Sequence, residues 1–292
     1  MKLSEMADGI YYDISDEDYQ SDDTRIRASQ LKTYYDGSDY LLTIEKTFKE
    51  AGLGKALHYF MEHKHLNNVV NMELATGVKG YDTKKNLAYM AERPNSICLN
   101  TEDSEKVKEL IRLLNTRTDT ETQRINGFIN NPEAKREVTV LFTIGDIKCK
   151  MRLDYLLIKD GKYSIKDYKT TSTKTMSAFE RDYYSMGYFI QMYFYALGLQ
   201  LVTGCGCEDI DLELFVFQTC EPYVFHTYQI HDDLENYDKV FNLIVSLVNS
   251  VDAIVNKGVF NGFIPKGGVK PKLSLSSWQM KAINERLKQI GV

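Results

Sequence analysis

The sequence predicts an α/β protein, of the α+β kind, with a central mixed β-sheet that carries an antiparallel hairpin and is flanked by helices. Three observations lead there. The stretch Lys148–Thr171 reads as two strands joined by Asp160-Gly161, the dipeptide that a tight type I′ turn asks for. Glu137–Ile144 alternates as a third strand and turns into that hairpin at Gly145-Asp146. Amphipathic helical stripes precede this meander and follow it, and two more strand-like runs lie beyond.

The hairpin dictates a register. If Asp160 and Gly161 are the two turn residues, Lys159 faces Lys162 and Ile158 faces Tyr163. Counting outward puts Asp154 opposite Asp167 and Arg152 opposite Lys169. Side chains alternate with period two, so Arg152 shares a face with Asp154, and Lys169 with Asp167. Two carboxylates about 5 Å apart across a ladder repel. A hard divalent cation with oxygen ligands resolves the conflict. Lys169 then points its ammonium at whatever the metal holds.

Before the meander, Ile10–Tyr12 reads as a short edge strand and Ser15–Tyr19 as one helical turn. Ser29 is placed to cap a helix through Tyr35. Gly54–Leu66 reads as a helix with Leu57 and Met61 on one stripe and His58 and Glu62 on the next. Asn67–Tyr81 is polar and loop-like. Helices follow over Thr83–Arg93, after Thr101 as cap with the stripe Val107, Leu110, Ile111 and Leu114, and over Thr120–Ile129. They read as covering layers. Glu137 reads first as a surface carboxylate at the start of its strand and, as the alternative, as an extra acidic contributor near the site; His63 and His65 read as solvent histidines.

Beyond Lys169 come Thr170 and Thr171, a polar loop, and a capping-box pattern at Ser177–Glu180. A long helix over Met186–Val202 is closed by Gly204 and sets Gln191 and Tyr195 on one face. Ile210–Thr219 and Tyr223–Ile230 are the two further strands. A helix runs from Asp232 to Asn256. The tail holds a basic loop, Pro265–Lys272, and an amphipathic helix, Ser277–Ile290.

Bulk properties narrow the classes. The chain has 292 residues, 43% hydrophobic and 26% charged, which suits a water-soluble globular protein. It contains no apolar run of membrane-spanning length and starts on a polar, acidic stretch rather than a signal peptide, so no membrane association is expected. The five cysteines lack paired zinc spacing, and a reduced cytoplasmic setting follows. The net charge of −5 does not advertise nucleic-acid binding, so basic side chains would have to gather along one groove.

Asp154 followed by Asp167-Tyr168-Lys169 resembles the D…(D/E)xK signature of the PD-(D/E)XK nuclease superfamily. Gly54-Lys55-Ala56-Leu57-His58 resembles the GxxxH helix of its RecB and lambda-exonuclease-like branch, and Gln191-Met192-Tyr193-Phe194-Tyr195 resembles that branch's QxxxY helix. The order of these motifs is similar to the RecE type, the phage-derived exodeoxyribonuclease VIII nuclease domain. Cys149–Asp154 and Ser29-Gln30-Leu31-Lys32 resemble its metal-aspartate strand and its N-terminal SxLK segment. The likeness spans roughly residues 10–265 at motif level.

The resemblance implies a restriction-endonuclease-like, lambda-exonuclease-like core and a single nuclease domain over 1–292. Residues 1–53 form an N-terminal helical and edge segment, 54–258 the nuclease core, and 259–292 a basic loop and C-terminal helix. It implies a metal-dependent exonuclease, 5′→3′ on linear double-stranded DNA, serving recombination by single-strand annealing in the cytoplasm of a bacterial or phage-infected cell. Asp154, Asp167, Lys169 and Gln191 are the expected catalytic residues. His58, Asp154, Asp167 and the Tyr168 carbonyl are the expected ligands of Mg²⁺ or Mn²⁺, two ions in all. Arg152, Lys150, Tyr195, Ser29 and Thr170 are the expected DNA contacts. The expected partners are duplex ends, further copies of the chain in a ring, and a single-strand annealing protein. An endonuclease or single-strand exonuclease of the same superfamily, and a non-catalytic DNA-end-binding protein, stay open as alternatives.

Overall fold

A computed structural model describes residues 3–35, 52–230, 234–258, 284 and 286–288. In chain order its elements are β1 (Gly9–Tyr11), α1 (Asp16–Ser21), α2 (Ala28–Tyr35), α3 (Gly52–His63), β2 (Val69–Asn71), α4 (Met72–Thr76), α5 (Lys84–Ala91), β3 (Ile97–Leu99), α6 (Thr101–Thr116) and α7 (Thr120–Ile129). Then come β4 (Lys135–Ile144), β5 (Ile147–Lys159), β6 (Lys162–Thr171), α8 (Met176–Ser185), α9 (Tyr188–Thr203), β7 (Ile210–Gln218), β8 (Phe225–Gln229) and α10 (Leu234–Val255).

Among the described residues six strands form one mixed sheet in the order β1-β4-β5-β6-β7-β8. The β4-β5-β6 meander is antiparallel as expected, while β7 runs parallel to β6 after a crossover through α8 and α9. That crossover is what a parallel neighbour needs, since no tight turn can join parallel strands. Asp160 and Gly161 have φ of 50° and 75°, both left-handed, which is the type I′ turn the dipeptide predicts.

Among the described residues two large apolar cores cover the sheet, beside a small cluster of Leu3, Met6 and Tyr19 on Leu141. On one face, α2, α8, α9 and α10 pack Leu31, Phe189, Ile190, Phe194, Leu243 and Leu247 against Val140, Phe142, Met151 and Leu214. On the other, α3, α6 and α7 pack Leu57, Met61, Leu110 and Ile125 against Tyr155, Tyr168, Phe215 and Phe217. Helices on both faces leave β6 and β7 buried, and β7 accordingly reads as the nearly unbroken apolar run LELFVF.

Several local expectations are corrected. The stretch read as a loop over Asn67–Tyr81 contains β2 and α4, and β2 pairs with β3 in a small parallel sheet. These three- and five-residue elements are too short to show a period. Ser29 is not the cap of α2. The helix begins at Ala28, and the Arg27 backbone N–H donates to Gln30 Oε1 at 2.9 Å. Asn100 rather than Thr101 caps α6, and Thr175 caps α8. The basic loop Pro265–Lys272 and the first residues of the helix expected from Asp232 lie outside the described residues. Of the closing helix, 284 and 286–288 are described, and Leu287 joins the larger core. No helix among the described residues is long and apolar enough to cross a membrane.

Candidate active site

The register of the hairpin runs as counted from Lys159–Lys162 down to Tyr155–Lys166 and stops there. Below that pair β5 stays with β4, while β6 continues along β7. Asp154 and Asp167 therefore do not face each other across a ladder as the count predicts; they are the first residues past the last pair, at a fork between two diverging strands. The fork is tied by the Asp154 carboxylate, which accepts from the Tyr168 backbone N–H at 2.8 Å.

Both strands on the β4 side of the fork are disturbed at one level. The β4–β5 ladder omits the pair Glu137–Asp154 and resumes without a shift in register. Glu137 has φ of 50°, a left-handed conformation that a glutamate rarely adopts. On β5, Leu153 packs in the larger core and Tyr155 in the other, though regular alternation would give them one face. The interruption turns both carboxylates toward α3.

There the imidazole of His58 meets them. His58 Nε2 lies 3.0 Å from the Tyr168 carbonyl oxygen and donates to it when it carries the proton. Nδ1 then has its lone pair free, 3.6 Å from Asp154 Oδ2. One ligand atom each from His58, Glu137 and Asp154 lie within 4.8 Å of one another. An imidazole and two carboxylates at this spacing suit a hard or borderline divalent cation, and the donation from His58 to a carbonyl is the usual way of orienting a ligand imidazole.

The electrostatics agree. Burial pushes the Glu137 carboxyl up to about 9, with Asp154 and Glu62 adding to the shift. Burial likewise raises Asp154, with Asp167 adding to it and His58 opposing. Such crowding of acids is what a bound cation relieves. Glu62 is half-buried beside this cluster, and its carboxyl is raised by burial first, against the opposing charge of His63.

Asp167 belongs to a second constellation on the α9 side. It is almost fully buried. One oxygen meets the Lys169 ammonium in a short ion pair, and the other accepts from Gln191 Nε2 at 2.8 Å. Burial works against the charge on Lys169, but Asp167 and Asp154 more than offset it and hold its pKa above the ordinary lysine value. The Lys169 ammonium also lies 4.9 Å from the centroid of the Tyr188 ring. Gln191 donates its other amide hydrogen to Tyr195 Oη at 2.7 Å.

The structure thus brings together His58, Asp154, Asp167, Tyr168, Lys169 and Gln191. It moves several expected DNA contacts elsewhere. Lys150 is fully buried, and its ammonium donates to the Tyr19 carbonyl at 2.5 Å and to the Asp22 carbonyl. Arg152 does not stand opposite Lys169, because the strands have parted. It pairs with Thr139, and its guanidinium binds Asp16 and the Ile14 carbonyl and covers the Tyr19 ring at 4.5 Å. Both side chains fasten the N-terminal segment to the sheet instead of offering charge to a phosphate. Tyr195 is buried and holds Gln191, so it offers no surface to a strand. Thr170 is half-buried beside α3, where a Cβ at Gly54 would meet its Oγ1 at 3.4 Å. Ser29 is exposed.

Glu137, for which the surface reading ranks first and a part in the site second, is brought into the cluster. A signal for it exists in the sequence. Counting back through the Gly145-Asp146 turn from Ile144–Ile147 sets Glu137 opposite Asp154, just as counting through Asp160-Gly161 sets Asp167 there.

Comparison with known proteins gives the family. Residues 43–260 match the model of a family described as a PDDEXK-like domain of unknown function (DUF3799). No curated protein matches. Among solved structures, the chain is similar to a "Putative exonuclease" from Eubacterium rectale, at 14% identity and a TM-score of 0.50, over 88% of this chain and 91% of that one. A likeness at that identity speaks for the fold alone. The similarity to SSO0001, at 16% identity over 80% of this chain and 100% of that one, has a TM-score of 0.27 and carries no argument. With the matched span covering the fork, its histidine helix and the glutamine helix, the chain belongs to this PDDEXK-like family and carries the nuclease signature of the PD-(D/E)XK superfamily.

Proposed function

We propose that the protein is a divalent-metal-dependent DNA exonuclease of the RecE type, hydrolysing phosphodiester bonds from the ends of linear duplex DNA. The observation that carries the reading is the fork itself. Two strands part at Asp154 and Asp167, an imidazole and a third carboxylate close on one side, and a lysine and a glutamine close on the other. Such a set suits metal-assisted hydrolysis of a phosphodiester.

His58, Glu137 and Asp154 would hold the cation, Mg²⁺ or Mn²⁺, and when bound it would supply Lewis-acid charge to the phosphodiester. Asp167, engaged by Lys169 and Gln191, is the carboxylate to which a second ion would have to turn. The raised pKa of Lys169 keeps its ammonium charged at neutral pH. It therefore serves best as an oriented positive charge facing negative charge that grows on the phosphate, more than as a base. Gln191 holds Asp167 in place from α9. The Tyr168 N–H and carbonyl hold Asp154 and His58, so one peptide segment orients both sides of the cluster. The 5′→3′ direction, the ring of identical copies and the annealing partner are parts of the proposal that the resemblance supplies.

The test is release of nucleotides from linear duplex DNA in Mg²⁺ or Mn²⁺, beside closed circular DNA of the same sequence. Loss of the linear form alone, with release from a 5′-labelled end first, is the expected result. Cutting of circles would make the protein an endonuclease instead. Binding without cutting would leave a DNA-end-binding protein. Full activity in EDTA would remove the metal from the mechanism.

A further inference from the structure

We infer that Lys32, on the N-terminal helix α2, is a positioning residue that acts through Gln191 and fixes which way its amide points. Its ammonium lies 3.0 Å from Gln191 Oε1. An ammonium can only donate and a carboxylate can only accept. Gln191 stands between Lys32 on one side and Asp167 Oδ1, at 2.8 Å, on the other. One amide orientation satisfies both neighbours: Oε1 toward Lys32 and Nε2 toward Asp167 and Tyr195. The reverse orientation would set a carbonyl against the Asp167 carboxylate and N–H groups against an ammonium.

The stem of Lys32 is seated as well. It passes Gly187, where a Cβ would meet Lys32 Cγ at 3.1 Å, and its ammonium lies 5.5 Å from the centroid of the same Tyr188 ring that receives Lys169. Gly187 has φ of 65° and precedes α9 directly, so a side chain there would be strained as well as crowded. The contact at Lys32 therefore joins the N-terminal segment to the start of the helix that presents Gln191. Through Gln191 it reaches Asp167, whose second oxygen is paired with Lys169. The aromatic ring and the amide give Lys32 a role inside the protein that a surface phosphate contact would not need.

This inference rests on the nuclease reading for its consequence in catalysis, but its geometry can be tested without DNA. The first measurement is the side-chain amide ¹⁵N–¹H signal of Gln191 in the metal-free, full-length protein. Lys32→Met is expected to shift and broaden that signal, and Lys32→Arg to restore it. The second is cleavage of linear duplex DNA in Mg²⁺. Lys32→Met is expected to lower kcat by roughly ten-fold or more with KM nearly unchanged, as loss of a residue orienting the machinery does. Gln191→Ala in the Lys32→Met background is expected to add little further loss, because the two substitutions break one chain of contacts. Thermal unfolding checks that each variant is folded, and Lys32→Ala carries the same expectations should Lys32→Met fail to fold. An unchanged Gln191 signal in Lys32→Met would overturn the inference. So would a loss confined to KM, additive with Gln191→Ala and accompanied by a shallower salt dependence, since that pattern marks a phosphate contact. Should the wild type cleave no DNA under any condition, the nuclease reading fails, while the amide signal still decides the role of Lys32.

Discussion

The Asp154 carboxylate accepts a hydrogen bond from the Tyr168 backbone N–H across the gap where β5 and β6 separate. The same acid therefore closes a fork in the sheet and faces His58 and Glu137. These two duties respond differently to Asp154→Asn. The amide oxygen can still accept from Tyr168, while one of the crowded negative charges disappears. We expect Asp154→Asn to unfold at the same temperature as the wild type or higher without metal, and to lose the stabilisation that Mn²⁺ confers. Differential scanning fluorimetry with and without Mn²⁺ checks both; a fall in the metal-free melting temperature would contradict the assignment.

Glu137 gives a pH dependence. Its carboxyl is pushed up to about 9 in the folded protein, against 4.5 as the ordinary value. Between these two values the folded state holds a proton that the unfolded chain has released, so metal-free stability falls as pH rises through this window. A cation needs the deprotonated carboxylate and displaces that proton. Mn²⁺ affinity should therefore rise with pH toward about 9, by up to roughly ten-fold per pH unit, with protons released on binding. Calorimetry in two buffers of different ionisation enthalpy measures the release. Glu137→Gln should flatten both trends, and Mn²⁺ binding that is indifferent to pH would exclude Glu137 as a ligand.

How the site became legible differs from residue to residue. The two-residue turn has a fixed count, and it brings Asp154, Asp167 and Lys169 to one level of the sheet, but the ladder ends one pair before the two acids, so they part to different neighbours instead of facing each other. His58 and Gln191 could be placed because the resemblance marks their helices. Lys150 and Arg152 were misplaced for a physical reason. Alternation correctly sets them on one strand face, but which face becomes covered depends on where residues 3–27 run, and no local period encodes that. Glu137 ranks as a surface carboxylate first because its place in the cluster depends on an interruption in the ladder, where its backbone takes up a left-handed conformation that nothing in the residue type favours. The mixed sheet and its helical layers were readable from element order, whereas three-residue strands such as β2 and β3 were not.

Lys150 supplies the test of that correction. Its ammonium is fully buried and satisfied by the Tyr19 and Asp22 carbonyls, with the Asp22 carboxylate 3.8 Å away. Lys150→Ala strands those acceptors and opens a cavity beneath α1. Loss of about 2–4 kcal/mol of stability is expected, as for a buried charge–acceptor network that loses its donor. The salt dependence of DNA binding should stay as in the wild type, measured by fluorescence anisotropy on a linear duplex. A shallower salt slope with unchanged stability would return Lys150 to the DNA.

Asp167 and Lys169 share a short ion pair, and each answers a different question when removed. Lys169→Ala takes away a positive charge that sits against the Tyr188 ring beside the candidate metal cluster. Cleavage should fall by about 10² or more, the usual scale for a group that stabilises developing charge. The cluster of His58, Glu137 and Asp154 stays whole in this variant, so Mn²⁺ binding should persist. Asp167→Ala releases both Lys169 and Gln191, and it also removes a carboxylate that raises the pKa of Asp154. Cleavage should be lost here too, with the fold retained by circular dichroism. Mn²⁺ calorimetry separates the two roles of Asp167. Unaltered binding at every site would leave Asp167 as a partner of Lys169 and Gln191, whereas loss of one binding event with another retained would make it the ligand of a second ion. Full cleavage by either variant would remove the pair from the active site.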